Sequence, residues 1–246
     1  MKKLEVCVDS AASAAAAFGG GADRIELCSN LIIGGTSPSP ELFRQIRKKC
    51  GIPIRVLIRP RFGDFCYDDD EFEIMLREVK MFCQLGADAV VVGVLTPEGD
   101  LDIRRMKTLK EAAGETKLTL HRAFDVCRDP FQTLEEAITL GLSTILTSGQ
   151  ANSAIAGKTL LKELTELAGD RIEILVGAGV SPENVKDLIE ATHAPAYHMS
   201  GKVIQSSHMI YRKEGINMGL PGFSEYEIWQ TEEEKIRAAR KILDRE

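Results

Sequence analysis

Eight short strand-like runs alternate with helical patterns at intervals of roughly 30 residues. The runs are LEVCV (4–8), RIELC (24–28), IRVLIR (54–59), AVVVG (89–93), KLTLH (117–121), TILTS (144–148), EILVG (173–177) and AYHMS (196–200). The clearest helical patterns lie at 39–50, 69–85, 102–113, 130–140, 158–169 and 182–192. Asp129 and Ser181 suit N-caps, with Pro130 and Pro182 at first helical positions. Eight even units predict a closed (β/α)8 TIM barrel. A doubly wound open sheet is the competitor, but no G-x-G-x-x-G follows the first run. No linker splits the chain, so residues 1–246 read as one domain, with a barrel core over about 1–200. Residues 201–246 read as an extension: a Gly/Met/Pro-bearing loop (201–223), then a charged helix over about 224–244, expected outside the barrel as its eighth helix.

The strands are unusual in polarity. All-parallel sheets covered by helices normally carry apolar residues on both faces. Here Glu5 and Cys7 share one face of the first run, and Glu26 and Cys28 repeat the arrangement in the second, because side chains alternate along a strand. The opposite face is Leu4, Val6, Val8, Ile25 and Leu27. Charges are rarely buried unless paired or functional. In a barrel of this kind the site lies at the C-terminal strand ends. Parity places Arg55, Arg59 and Arg61 on or after the third run, and Thr119 and His121 on the fifth. Arg122 and Asp125 follow the fifth run, Thr147 and Ser148 close the sixth, and His198 and Ser200 lie on the eighth.

Glu5, Glu26, Arg59 and His121 are therefore the candidate catalytic groups. The glutamates would act as base, His121 as acid or oxyanion stabiliser, and Arg59 as an anion clamp. Candidate ligand contacts are Asn30, Arg61, Arg122, Asp125, Thr147, Ser148, Gly177, Gly179, His198 and Ser200. Gly177 and Gly179 follow the seventh run, where backbone N–H groups can seat a phosphate. The alternative is a buried ion network, Glu5–Arg59–Glu26, that only fills the barrel. Two thiolates on neighbouring strands, Cys7 and Cys28, could hold a soft Cu(I) ion if the barrel stagger brings them level; two small buried fillers are the plainer reading. The Asp68-Asp69-Asp70-Glu71 run reads as a helix cap with favourable dipole charge rather than a divalent-metal site.

Composition limits the partners. The net charge of −6 argues against nucleic acid, which selects basic surfaces. Six scattered cysteines form no zinc or disulfide pattern, so reduced thiols in the cytosol are expected. Glu5 and Asp9 interrupt the alanine-rich start, which reads as strand and helix, not a signal peptide. No run of 18 apolar residues exists, so no membrane span is expected.

Together these stretches resemble the CutC family, named for copper homeostasis. The matching segments are LEVCVDS (4–10), GGADRIELCSNL (20–31), GGTSPSP (34–40), IRPRFGDFCY (58–67), GVLTPEGDLD (93–102), LHRAFDVCRDP (120–130), ILTSGQ (145–150), VGAGVSPENV (176–185) and YHMSGK (197–202). HMIYR (208–212) and NMG (217–219) extend the likeness into the tail. Phe62, Gln150 and Ala178 stand where the family pattern has glycine; Phe62 would narrow the barrel mouth. The resemblance implies a cytoplasmic TIM barrel, a homo-oligomer, and a role in copper homeostasis with Cys7 and Cys28 as Cu(I) ligands. It assigns no reaction. Two other readings stay open: an enzyme acting by acid/base chemistry on a small anionic or phosphorylated metabolite with no cofactor, and an interaction scaffold with an occluded mouth.

Overall fold

The computed structural model describes residues 1–245 apart from 217 and 220. Asn217, Leu220 and Glu246 lie outside this description, the first of them in the NMG stretch. The eight runs form strands β1 (Lys3–Val8), β2 (Arg24–Leu27), β3 (Ile54–Leu57), β4 (Ala89–Val92), β5 (Lys117–Leu120), β6 (Thr144–Thr147), β7 (Glu173–Val176) and β8 (Ala196–Met199). Each pairs in parallel with the next, and β1 closes on β8, giving the expected barrel. Helices α1 (Ala11–Gly19), α2 (Pro40–Lys49), α3 (Asp69–Gln84), α4 (Ile103–Ala113), α5 (Pro130–Thr139), α6 (Lys158–Ala168) and α7 (Val185–Thr192) fill the crossovers.

The main core lies between barrel and helices. Leu4, Val6, Ile25, Leu27, Ile54 and Val56 are fully buried there, against residues such as Phe43, Ile46, Met75 and Phe82 from the helices. Each such side chain contributes about 1.5–3 kcal/mol of burial. That outer layer consumes one parity of every strand and forces the other parity inward. Local signals then set the helix ends. Asp68 and Glu71 form a reciprocal capping box at the start of α3, which accounts for the acidic run. Asp129 caps α5 with Pro130 in its first turn. Ser181 does not cap α7: its N–H donates to the Asn184 side chain, and the helix starts at Val185.

The extension differs from the expected loop and helix. Residues 202–206 form β9 (Lys202–Ser206), which pairs antiparallel with β10 (Glu227–Thr231). Helix α8 (Glu233–Leu243) is consequently shorter than the 224–244 expected, and it packs on α1, α7 and β1. The alternation in KVIQS and EIWQT carries this hairpin, but the two halves are separated by 20 residues of mixed composition, so neither signals its partner locally. Among the described residues no helix is long and apolar enough to cross a membrane.

Candidate functional site

The inward parity builds two polar layers. The lower one is a closed ion network. Register sets Glu5 beside Arg24 on β2 and beside His198 on β8. Glu5 Oε2 accepts from Arg24 Nε at 2.5 Å and lies 3.4 Å from Arg55 Nε. Arg24 also reaches Glu173 at 2.6 Å, and Arg55 donates to Thr119 and Thr144 at 2.9 and 3.1 Å. His198 Nδ1 closes the network on Glu5 Oε1 at 2.9 Å. Burial pushes the Glu5 carboxyl up, but the His198 hydrogen bond and the charges of Arg24 and Arg55 outweigh it. The carboxyl is held well below the usual range. Glu5 is therefore an anion with both of its oxygens engaged.

This replaces the expected Glu5–Arg59–Glu26 network. Arg59 lies one layer too high to reach either glutamate; Arg24 and Arg55 are the partners instead. Arg24 and Glu173 share the inward parity of Glu26 and Leu175, so the same alternation could have found them. They stand at the N-terminal strand ends, opposite the end at which such a barrel places its site.

Above that floor opens a cavity of about 220 Å³ at the C-terminal strand ends. Cys7, Glu26, Arg59, His121, Arg122, His198, Gly179 and Ser200 all line it. Glu26 makes one long approach, 3.8 Å from His198 Nε2, and burial pushes its carboxyl up to about 7, with Glu5 adding to the rise and His198 and Arg55 opposing it. It can lose or take a proton near neutrality. His121 sits where Gly93 on the neighbouring strand leaves room; a Cβ there would come within 2.6 Å of the ring. The His121 Nδ1 accepts from the Ala123 N–H at 3.1 Å, which assigns the proton to Nε2. That Nε2 is buried and has no partner. Burial and the Arg59 charge push the ring down to about 3, so it stays neutral and offers one N–H donor.

Arg59 donates to the carbonyls of Gly35 and Gly63 at 3.0 and 2.8 Å, and its guanidinium lies 4.9 Å from the Phe65 ring centroid. Among the described residues no carboxylate lies within 4.0 Å of it, and its Nε is buried without a partner. Phe65 also contacts the His121 ring, at 4.8 Å between centroids, and so positions both groups. Phe65 was not among the expected site residues, because an aromatic in a loop carries no parity signal. On the opposite rim Ala178 and Gly179 take left-handed φ values of 76° and 77°.

Other expected contacts lie elsewhere. Asp125 accepts from Thr147 Oγ1 and the Ser148 N–H, and pairs with Arg122, so Asp125, Thr147 and Ser148 knit the loop after β5 to β6. Gly177 donates to Thr147 O in the sheet ladder. Arg61 is a surface strut to Glu71 and Asp64. Asn30 lies in a neighbouring cleft beneath the β9–β10 hairpin. Phe62 is exposed and away from the cavity, so it does not narrow the mouth. Gln150 uses its side-chain amide to hold the carbonyls of Phe124 and Cys127.

The thiols do not come level. Cys7 pairs in register with Glu26, which leaves Cys28 two residues further along its strand. Cys28 is fully buried against Leu57 and Val91, donates to Val8 O, and is pushed well up by burial. Among the described residues no three His, Cys, Asp or Glu side chains group to hold an ion.

Comparison with known proteins follows the same outline. The sequence profile of the CutC family matches residues 2–203. A family protein CutC of Chromobacterium violaceum is 44% identical over 99% of both chains. The human copper homeostasis protein cutC homolog is 40% identical over 97% of this chain and 88% of its own. A crystal structure of a CutC protein from Streptococcus agalactiae superposes with a TM-score of 0.78 at 33% identity, covering 81% of this chain and 99% of that one.

Proposed function

The chain belongs to the CutC family, and from that premise we propose that its barrel mouth binds a small anionic carbonyl metabolite and moves a proton on it. Arg59 would meet the anion, Glu26 would give or take the proton, and the His121 Nε2–H would bond the carbonyl oxygen as charge develops there. A neutral imidazole donor suits that task, because its acidity approaches that of an enol. The observation that carries the reading is the pair of buried unpartnered donors, His121 Nε2 and Arg59 Nε, in residues lining the same cavity as a carboxyl poised near neutrality.

Thermal shift with glycolaldehyde phosphate, phosphoglycolate and inorganic phosphate tests it. A ligand at about 100 times its Kd should stabilise the fold by about 2.7 kcal/mol. Arg59→Met should lose that shift, and Glu26→Gln should keep it while abolishing exchange of the ligand's α-hydrogen for deuterium. No shift with any anion, or a shift unaltered in Arg59→Met, refutes the reading. Relatives bear the name copper homeostasis protein, and a Cu(I) role for this chain would rest on Cys7 and Cys28. Their offset registers give it less support than the proton-transfer reading has. Anaerobic Cu(I) titration against a competing chelator decides it: an affinity unchanged by replacing both thiols with serine removes these residues as ligands.

A further inference from the structure

The mouth cavity has a neighbour at the same end of the barrel. A cleft of about 420 Å³ lies beside it beneath the β9–β10 hairpin. Leu31 and Ser200 line both, so the two spaces meet at one partition. That partition is fixed. Leu31 opens a short 3-10 turn (Leu31–Ile33) in a loop that Ser29 and Thr36 close with two backbone hydrogen bonds, at 2.9 and 2.8 Å. The Ser200 carbonyl accepts from Thr231 Oγ1 at 3.0 Å, and the Thr231 N–H donates to Ser13 Oγ at 3.1 Å. One residue of β10 thus fastens the roof to the end of β8 and to the start of α1.

The cleft differs from the mouth in chemistry. Asp9, partly buried just after β1, lines it. Among the described residues no Lys, Arg or His nitrogen lies within 4.0 Å of that carboxylate. Lys202 brings a cation, whose Nζ lies 4.0 Å from the Trp229 ring centroid. Glu227 and Gln230 add a second carboxylate and an amide. A wall carrying both signs suits neutral hydroxyls, which donate to a carboxylate and accept from an ammonium. A charged tail would meet a like charge there, and an apolar tail would strip water from Asp9 without replacing its hydrogen bonds. The mouth limits the other end of the ligand. Phe65 packs on both the Arg59 guanidinium and the His121 ring. An anion at Arg59 and a carbonyl oxygen at His121 therefore stand side by side, as in a 2-oxo acid. We propose that mouth and cleft are two compartments of one site, and that its ligand is a polyhydroxylated 2-oxo acid. The oxo-acid head occupies the mouth, and the hydroxylated tail passes Leu31 and Ser200 to reach Asp9. This rests on the reading of the mouth given above.

Titration of the full-length chain with three acids tests the proposal. Pyruvate is the head alone, 2-oxohexanoate adds a bare chain, and 2-keto-3-deoxygluconate carries hydroxyls on a chain of the same length. Thermal shift reads the affinities. Trp229 is the sole tryptophan of the chain and lines the cleft, so its emission reports on that compartment. The hydroxylated acid should bind at least about tenfold tighter than either of the others, an advantage that hydrogen bonds to a charged group can supply. At saturation it should change the Trp229 emission, and saturating pyruvate should not. Asp9→Ala should bring its affinity close to that of pyruvate, and Arg59→Met should lose all three acids. Equal affinities, a Trp229 emission unmoved by the saturating hydroxylated acid, or an advantage kept in Asp9→Ala overturns the proposal; with pyruvate still bound through Arg59, the mouth reading stands. If none of the acids binds while glycolaldehyde phosphate still stabilises the fold through Arg59, the proposal fails alone. Acids retained in Arg59→Met overturn both. Should Asp9→Ala not fold, the three affinities and the emission of the native chain decide.

Discussion

The floor and the mouth of the barrel bury the same kinds of residue to opposite ends. Below, Glu5, Arg24, Arg55 and Glu173 satisfy one another, with Thr119 and Thr144 taking the remaining donors. Above, Glu26, Arg59 and His121 are as deeply buried, yet Glu26 has one long contact and the other two keep a bare nitrogen. Burial of charge therefore does not identify a site by itself. What separates the layers is completeness: a satisfied network is architecture, and an unsatisfied one has room for a ligand's atoms to finish it.

The largest break should come from the floor. Glu5→Gln leaves two guanidiniums without their shared anion and should cost about 3–5 kcal/mol in urea unfolding. Because the Glu5 carboxyl is depressed in the fold, its contribution is present above the unfolded value of 4.5 and is lost as pH falls through the folded value. Acid unfolding of the native chain should show that loss, and Glu5→Gln should not. A cost under about 1 kcal/mol would deny the floor its structural role.

Glu26 should behave with the opposite sign. Its folded value, about 7, lies above the unfolded 4.5, so its contribution is full below 4.5 and lost as pH rises through 7. Glu26→Gln should therefore gain on the native chain by up to about 3 kcal/mol between pH 4.5 and 8. Equal pH slopes in both proteins would remove Glu26 as the titrating group. His121 gives a smaller effect. Held neutral to about 3, it refuses a proton that the unfolded chain binds below about 6.5, so stability declines as pH falls through that window. His121→Gln should flatten this part of the curve, by about 1–2 kcal/mol over pH 6.5 to 5. The smallest change belongs to Cys28→Ala, a loss of about 1 kcal/mol with no effect on ligand binding, because the thiol only fills space above Leu57.

Much of this was legible in the chain. Period-two alternation on eight runs required an outer apolar layer of Val6, Leu27 and Val56 and sent Glu5, Glu26, Arg59 and His121 inward. The loops were less legible: Phe65, which packs on both Arg59 and His121, and the β9–β10 hairpin carry patterns too short or too separated to announce their partners.

The doubled Glu-x-Cys signature shows where the boundary falls. Alternation alone dictated that both glutamates and both thiols face the barrel axis, because side-chain direction is a property of single strands. Which of them meet is a property of stagger between strands, and that depends on how the barrel closes. Closure set Cys7 level with Glu26 and Glu5 level with His198. It thereby offset the two thiols along their strands and gave the imidazole to the Glu5 carboxylate.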